Sequence, residues 1–159
     1  MVAWNTSGHD VARHLRMLLG QAVQAGLVRR DDVANEGDGF VGLFQTDEGI
    51  LEASCHLDIP LAAGAGCGLS LLSPRVAQTA VESSDFSPPL VENIHEILNV
   101  LGGLKNGAGL PHVMLRQVLR TRDASDMERE EWMQLPLEGS IEVTIALYGS
   151  GRMTIRSRA

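Results

Sequence analysis

VENIHEILNVLGGLKN, residues Val91 to Asn106, decides how the rest of the chain is read. Val91, Ile94, Leu98, Leu101 and Leu104, with Ile97 beside them, recur at steps of three and four. That spacing draws one apolar stripe along a helix and predicts its burial. Glu92, Glu96, Asn99 and Gly103 fall at i, i+4, i+7 and i+11 and share a different face. A carboxylate and a carboxamide three residues apart are neighbours on that face. Gly103 would let a second molecule approach closely. Asparagine is a poor helix former, so Asn99 asks for a reason beyond propensity.

Working outward, His9 to Leu27 reads as a first helix. Val11, Leu15, Leu18, Leu19 and Val23 form its stripe, Ser7 is placed to cap it and Gly26 to end it. Charged, glycine-rich RRDDVANEGDG (29–39) reads as a loop. Phe40 to Gln45 and Ile50 to His56 flank Thr46-Asp47-Glu48-Gly49, which predicts a β-hairpin with a four-residue turn. Asp58-Ile59-Pro60 has the N-cap and first-turn proline of a helix start. The following LAAGAGCGLSLL (61–72) fits a helix or a strand, and the cap favours the helix. Three glycines there cost roughly 1 kcal/mol each against alanine, a cost recovered if they permit close packing.

Ser73-Pro74 opens a short helix, Arg75 to Glu82, and SSDFSPP resets the chain before the long helix over 91–105. Gly107 to Gly109 would end that helix. His112 to Leu119 reads as a strand, and DASDMEREEW as a charged loop or short helix. Ile141 to Leu147 and Arg152 to Arg156 flank YGSG, a second hairpin, with Ile141, Val143, Ile145 and Leu147 pointing one way. Paired strands with helices grouped between them predict an α+β fold, the long helix lying on an antiparallel sheet.

Composition sets bounds on function. A chain of 159 residues with 44% hydrophobic content suits one domain over residues 1–159. No apolar run reaches the roughly 20 residues that span a bilayer. The opening MVAWNTSGHD lacks a basic region and an apolar signal core, so the expectation is a cytoplasmic protein without a membrane partner. A net charge of −7 argues against nucleic acid. The RTR (120–122) and RSR (156–158) clusters read as solvated strand ends. Cys55 and Cys67, in apolar company, read as buried free thiols rather than a disulfide.

Several chemistries fail on their ligands. His95-Glu96-Ile97-Leu98-Asn99 misses the zinc-binding HExxH motif because Asn99 stands where the second histidine belongs. His9, His14, His56 and His112 have no metal spacing, and no metal site is expected. Gly64-Ala-Gly-Cys-Gly68 lacks the lysine and hydroxyl of a phosphate-binding loop. Cys67 has no base near it in sequence.

One resemblance remains. Glu96-x-x-Asn99-x-x-x-Gly103, on a helix that follows strands, resembles the CheC/CheX/FliY family of chemotaxis phosphatases, most nearly its single-motif CheX type. Glu92 stands where that family usually has Asp or Ser, and Pro111 comes too early to match its downstream proline. The resemblance implies a CheC-like domain with two related α-β halves, working as a homodimer. Its implied partner is the phosphorylated receiver domain of a response regulator. By the same resemblance Asn99 orders the attacking water and Glu96 binds the receiver's lysine, with Glu92 and Gly103 in the contact. No cofactor is expected in this chain, since the magnesium ion belongs to the receiver. The alternative reading is a non-catalytic binding or scaffold module on the same fold.

Overall fold

The computed structural model describes residues 8–28, 36–104 and 112–158. In chain order these form α1 (Gly8–Leu19), β1 (Val23–Val28), β2 (Gly39–Thr46), β3 (Leu51–Asp58), α2 (Ile59–Leu69), α3 (Pro74–Ser83) and α4 (Pro88–Gly102). There follow β4 (Val113–Arg120), a 3₁₀ turn at Thr121–Asp123, α5 (Asp126–Met133), β5 (Leu137–Ile145) and β6 (Gly149–Ser157). The strands make one six-stranded sheet in the order β1-β5-β6-β3-β2-β4, every pair antiparallel. The fold is α+β, as the sequence predicts.

The strand order exposes two related halves. One half is α1, β1, β2 and β3; the other is α4, β4, β5 and β6. Each half keeps its own hairpin, β2–β3 or β5–β6, and the hairpins meet along β3 and β6. Each half also gives its first strand away: β1 pairs with β5, and β4 pairs with β2. The halves are therefore interlocked.

Alternation along the strands separates two faces. Phe40 and Phe44 of β2, Ala53, Cys55 and Leu57 of β3, Ile141, Val143 and Ile145 of β5, and Met153 and Ile155 of β6 join α1, α2 and α4 in the main core. Val41 and Leu43 point the other way, to a smaller cluster with Leu51, Leu135 and the fully buried Trp132 at the end of α5. Ser125 and Glu128 cap α5 reciprocally.

The cap at Asp58 resolves the ambiguous 61–72 segment as helix as far as Leu69, its Oδ1 accepting from Leu61 N at 3.0 Å, and Leu71 leaves the helix with a φ of 56°. Residues Leu61 to Gly68 of α2 are all buried, so this helix is apolar on every side and needs no stripe. Its glycines do permit close packing. A Cβ on Gly66 would lie 2.7 Å from Leu90 Cδ1 of α4.

Several expectations are corrected. The first helix stops at Leu19 instead of running to Leu27, because Gly20 adopts a left-handed φ of 67° and breaks it. Val23 therefore sits on β1, and Gly26 lies inside that strand opposite Glu142. The Ser7 cap, most of the 29–39 loop and the Gly107–Gly109 stop lie outside the described residues. The long helix starts earlier, with Pro88 and Pro89 in its first turn, and ends at Gly102. Val91 is 36% exposed, because Leu90 takes the core position at that end. Leu147 is 77% exposed in the β5–β6 turn, where its φ of 75° carries it off the strand's alternation.

The arginine clusters are also not simply solvated. Arg120 donates to Asp38 Oδ2 at 2.7 Å and stacks over the rings of Phe40 and Phe86. Arg156 pairs at 2.9 Å with the buried Glu36, which also accepts from Trp132 Nε1. Cys55 and Cys67 are buried free thiols, both pushed above the usual thiol range by desolvation.

Candidate functional site

The site is built on α4, the longest helix described. Leu90, Ile94, Ile97, Leu98 and Leu101 lock one side of it into the core. Phe44 lies against the end of the helix, where a Cβ on Gly102 would come within 2.6 Å of its ring. Asn93 fixes the α2 side: its Nδ2 donates to Gly66 O at 3.0 Å and to Ser70 Oγ at 2.6 Å. The helix backbone is thus held along its length.

Glu92, Glu96, Asn99 and Gly103 are all exposed on the opposite side. At about 100° per residue they fall within an arc of about 60°. Among the described residues no hydrogen bond or ion pair engages the side chains of Glu92, Glu96 or Asn99. Gly103 has a right-handed φ of −63°, so its backbone does not demand glycine. Among the described residues a Cβ there would meet only Val100 O of the turn below, at 3.1 Å. The four sequence-predicted residues are therefore brought together, and they are available to a partner.

The equivalent helix of the other half offers no second copy. α1 precedes β1 as α4 precedes β4, but its sequence GHDVARHLRMLL contains neither glutamate nor asparagine. Sequence reasoning missed the role of Asn93, whose partners on α2 are distant in sequence. The histidines have separate settings. The buried His56 bonds through Nε2 to Gly37 O at 3.1 Å, and desolvation holds its imidazole below the usual histidine range. His14 bonds to Asp10 O, and His112 lies 3.5 Å from Asp47 at the surface. The side chain of His9 lies outside the described residues. Among the described residues no group of three or more His, Cys, Asp or Glu could hold a metal ion.

No protein-family model matches the sequence, and no curated protein matches it. Solved structures do. The middle domain of FliM from H. pylori superposes with a TM-score of 0.61 at 10% identity, covering 94% of this chain and 84% of that one. In the FliG–FliM complex from H. pylori the match has a TM-score of 0.56 at 9% identity, over 94% and 85%. FliY from Thermotoga maritima gives 0.58 at 15% identity, over 94% and 82%. CheX in its complex with CheY from Borrelia burgdorferi gives 0.45 at 13% identity over 95% of each chain, too low to bear on the fold.

The chain is therefore an α+β domain of the interlocked, six-stranded kind. Its fold is the one shared by FliY and the FliM middle domain, so the resemblance to the CheC/CheX/FliY family holds at the level of fold. No helix among the described residues is long and apolar enough to cross a membrane.

Proposed function

We propose that the protein is an auxiliary phosphatase acting on the phosphoaspartate of a response-regulator receiver domain. In this reading Asn99 orients the attacking water, Glu96 docks the receiver's lysine, and Glu92 and Gly103 border the contact. One observation supports it above the others. Two asparagines stand on one helix; Asn93 is engaged in holding the fold, and Asn99 is exposed, unengaged and beside an equally free Glu96.

The chemistry asks little of the protein. Phosphoryl transfer is mostly positioning and electrostatics, with attacking and leaving oxygens in line. The receiver supplies the magnesium ion and the phosphoryl group. Water attacks phosphorus as the bond to the aspartate carboxylate breaks, and both water protons end on the released phosphate. A carboxamide suits this task because its oxygen accepts from the water and carries no charge to repel it. Glu96 suits a lysine through a charge-assisted bond. The setting is the cytoplasm, and the working unit by resemblance is a homodimer.

A second reading keeps the fold without the chemistry: a binding or scaffold module that presents α4 to a protein partner. FliM, one of the structures similar in fold, was crystallised in a complex with FliG.

Single-turnover decay of phosphorylated receivers separates the two. Asn99→Ala is expected to abolish acceleration with receiver binding largely intact, because the carboxamide acts in the transition state. Glu96→Ala is expected to weaken binding, measured with a beryllofluoride-bound receiver. Equal loss of binding in both variants would contradict the division of roles. No acceleration by the unmutated protein leaves only the binding module.

A further inference from the structure

The face that carries Glu96 and Asn99 holds one more polar side chain, so far without a task. His95 is exposed and lies one helical turn before Asn99. At about 100° per residue it falls about 40° from Asn99, on the opposite side of it from Glu96. A body that reaches Asn99 therefore meets both. Among the described residues no hydrogen bond or ion pair engages the His95 ring.

The charge on this face gives His95 its importance. α4 reads PPLVENIHEILNVLG, with two carboxylates and neither lysine nor arginine. His95 is the one side chain of the helix able to carry positive charge. A phosphorylated receiver presents a phosphoryl anion and the oxygen ligands, carboxylates among them, that hold its magnesium ion. Glu92 and Glu96 approach that surface with like charge, and like charges juxtaposed across an interface oppose association. An imidazole offers an N–H donor in either protonation state and a positive charge when protonated.

We infer that His95 is the specificity-determining residue that lets this acidic face dock on an acidic phosphoreceiver, its ring N–H donating to a receiver carboxylate beside the phosphoaspartate. The inference rests on the phosphatase reading and adds to it the character of the partner's surface. His95 acts on association and takes no part in the hydrolytic step, which separates it from Asn99.

The test titrates the protein against single-domain receivers of the source organism, phosphorylated with acetyl phosphate. The decay rates give a half-saturating concentration and a maximal rate. His95→Ala is expected to raise the half-saturating concentration about three- to five-fold while the maximal rate stays within about two-fold. His95→Lys should restore the affinity and His95→Glu should weaken it beyond alanine, a charge order that a merely structural role would not produce. Urea midpoints of all three variants are expected to lie near that of the unmutated protein, since the ring is exposed and no hydrogen bond or ion pair among the described residues holds it. If the unmutated protein accelerates decay and His95→Ala leaves the half-saturating concentration unchanged, His95 has no docking role and the phosphatase reading stands. If the unmutated protein accelerates nothing, both are overturned.

Discussion

Asn93 and Asn99 share a helix and differ in what they touch, and that difference is measurable as stability. Removing the Asn93 carboxamide leaves Gly66 O and Ser70 Oγ without that donor, so Asn93→Ala should lower stability by about 1 kcal/mol. Asn99→Ala removes no hydrogen bond seen among the described residues and substitutes a better helix former, so it should be neutral or stabilising by about a few tenths of a kcal/mol. Urea midpoints decide between them. If Asn99→Ala is the more damaging change, Asn99 is structural and the site reading falls. At this scale the sequence was half legible. The spacing of Glu92, Glu96, Asn99 and Gly103 put them on one face, and they are together and exposed there. The same spacing buried Val91, because periodicity assigns a stripe without knowing where the neighbouring elements end. It was silent on Asn93, whose partners only the tertiary packing brings near.

The glycines of α2 allow a sharper test at the level of elements. Alanine is favoured over glycine in a helix by about 1 kcal/mol. At Gly68 the added methyl would meet Leu19 and Tyr148 at 3.7 Å, ordinary contact, so Gly68→Ala should raise the urea midpoint. At Gly66 it would collide with Leu90 and crowd Ile94, the residues that seat α4, so Gly66→Ala should lower it. Similar effects at both positions would mean that the close approach of α2 to α4 at Gly66 does not depend on the missing side chain. Elements with local signals were legible: the β2–β3 turn at Thr46–Gly49, the Asp58 cap and the Pro74 start. The α1–β1 boundary was not. Val23 falls at a helical step from Leu19, and only the left-handed Gly20 and pairing with β5 show that the chain has changed its period.

For the whole molecule the clearest measurable consequence is a response to acid. Burial holds the His56 imidazole toward its neutral form, against the opposing pull of Glu36, Asp58 and Asp38. Its pKa in the folded protein lies below that of the unfolded chain, so the unfolded state binds the proton first as pH falls. The contribution of neutral His56 is complete above about pH 6.5 and is lost progressively below it. Asp38, held below the usual carboxylate range by its hydrogen bond to Arg120, adds a second loss at still lower pH. His56→Gln can keep a donor toward Gly37 O without titrating, so its urea midpoint should fall less between pH 7.5 and 5.5 than that of the unmutated protein. Parallel slopes would show that other groups govern the acid limb. None of this was legible beforehand, because His56 is buried, and meets Glu36 and Asp38, only once the sheet is assembled. The strand order was equally hidden: adjacency in sequence reveals hairpins, and the exchange of β1 and β4 between halves leaves no local trace.

That exchange has a consequence for how the protein is made. Val23 pairs with Ile145, so β1 finds its hydrogen-bonding partner only after about 120 further residues have been made. At about 5–20 residues per second, synthesis leaves β1 waiting for roughly 6 to 25 seconds with its backbone unmatched. Long-range closure is also the slow part of folding. The nascent chain is thus most vulnerable to aggregation and to chaperone capture before β5 emerges to pair with β1.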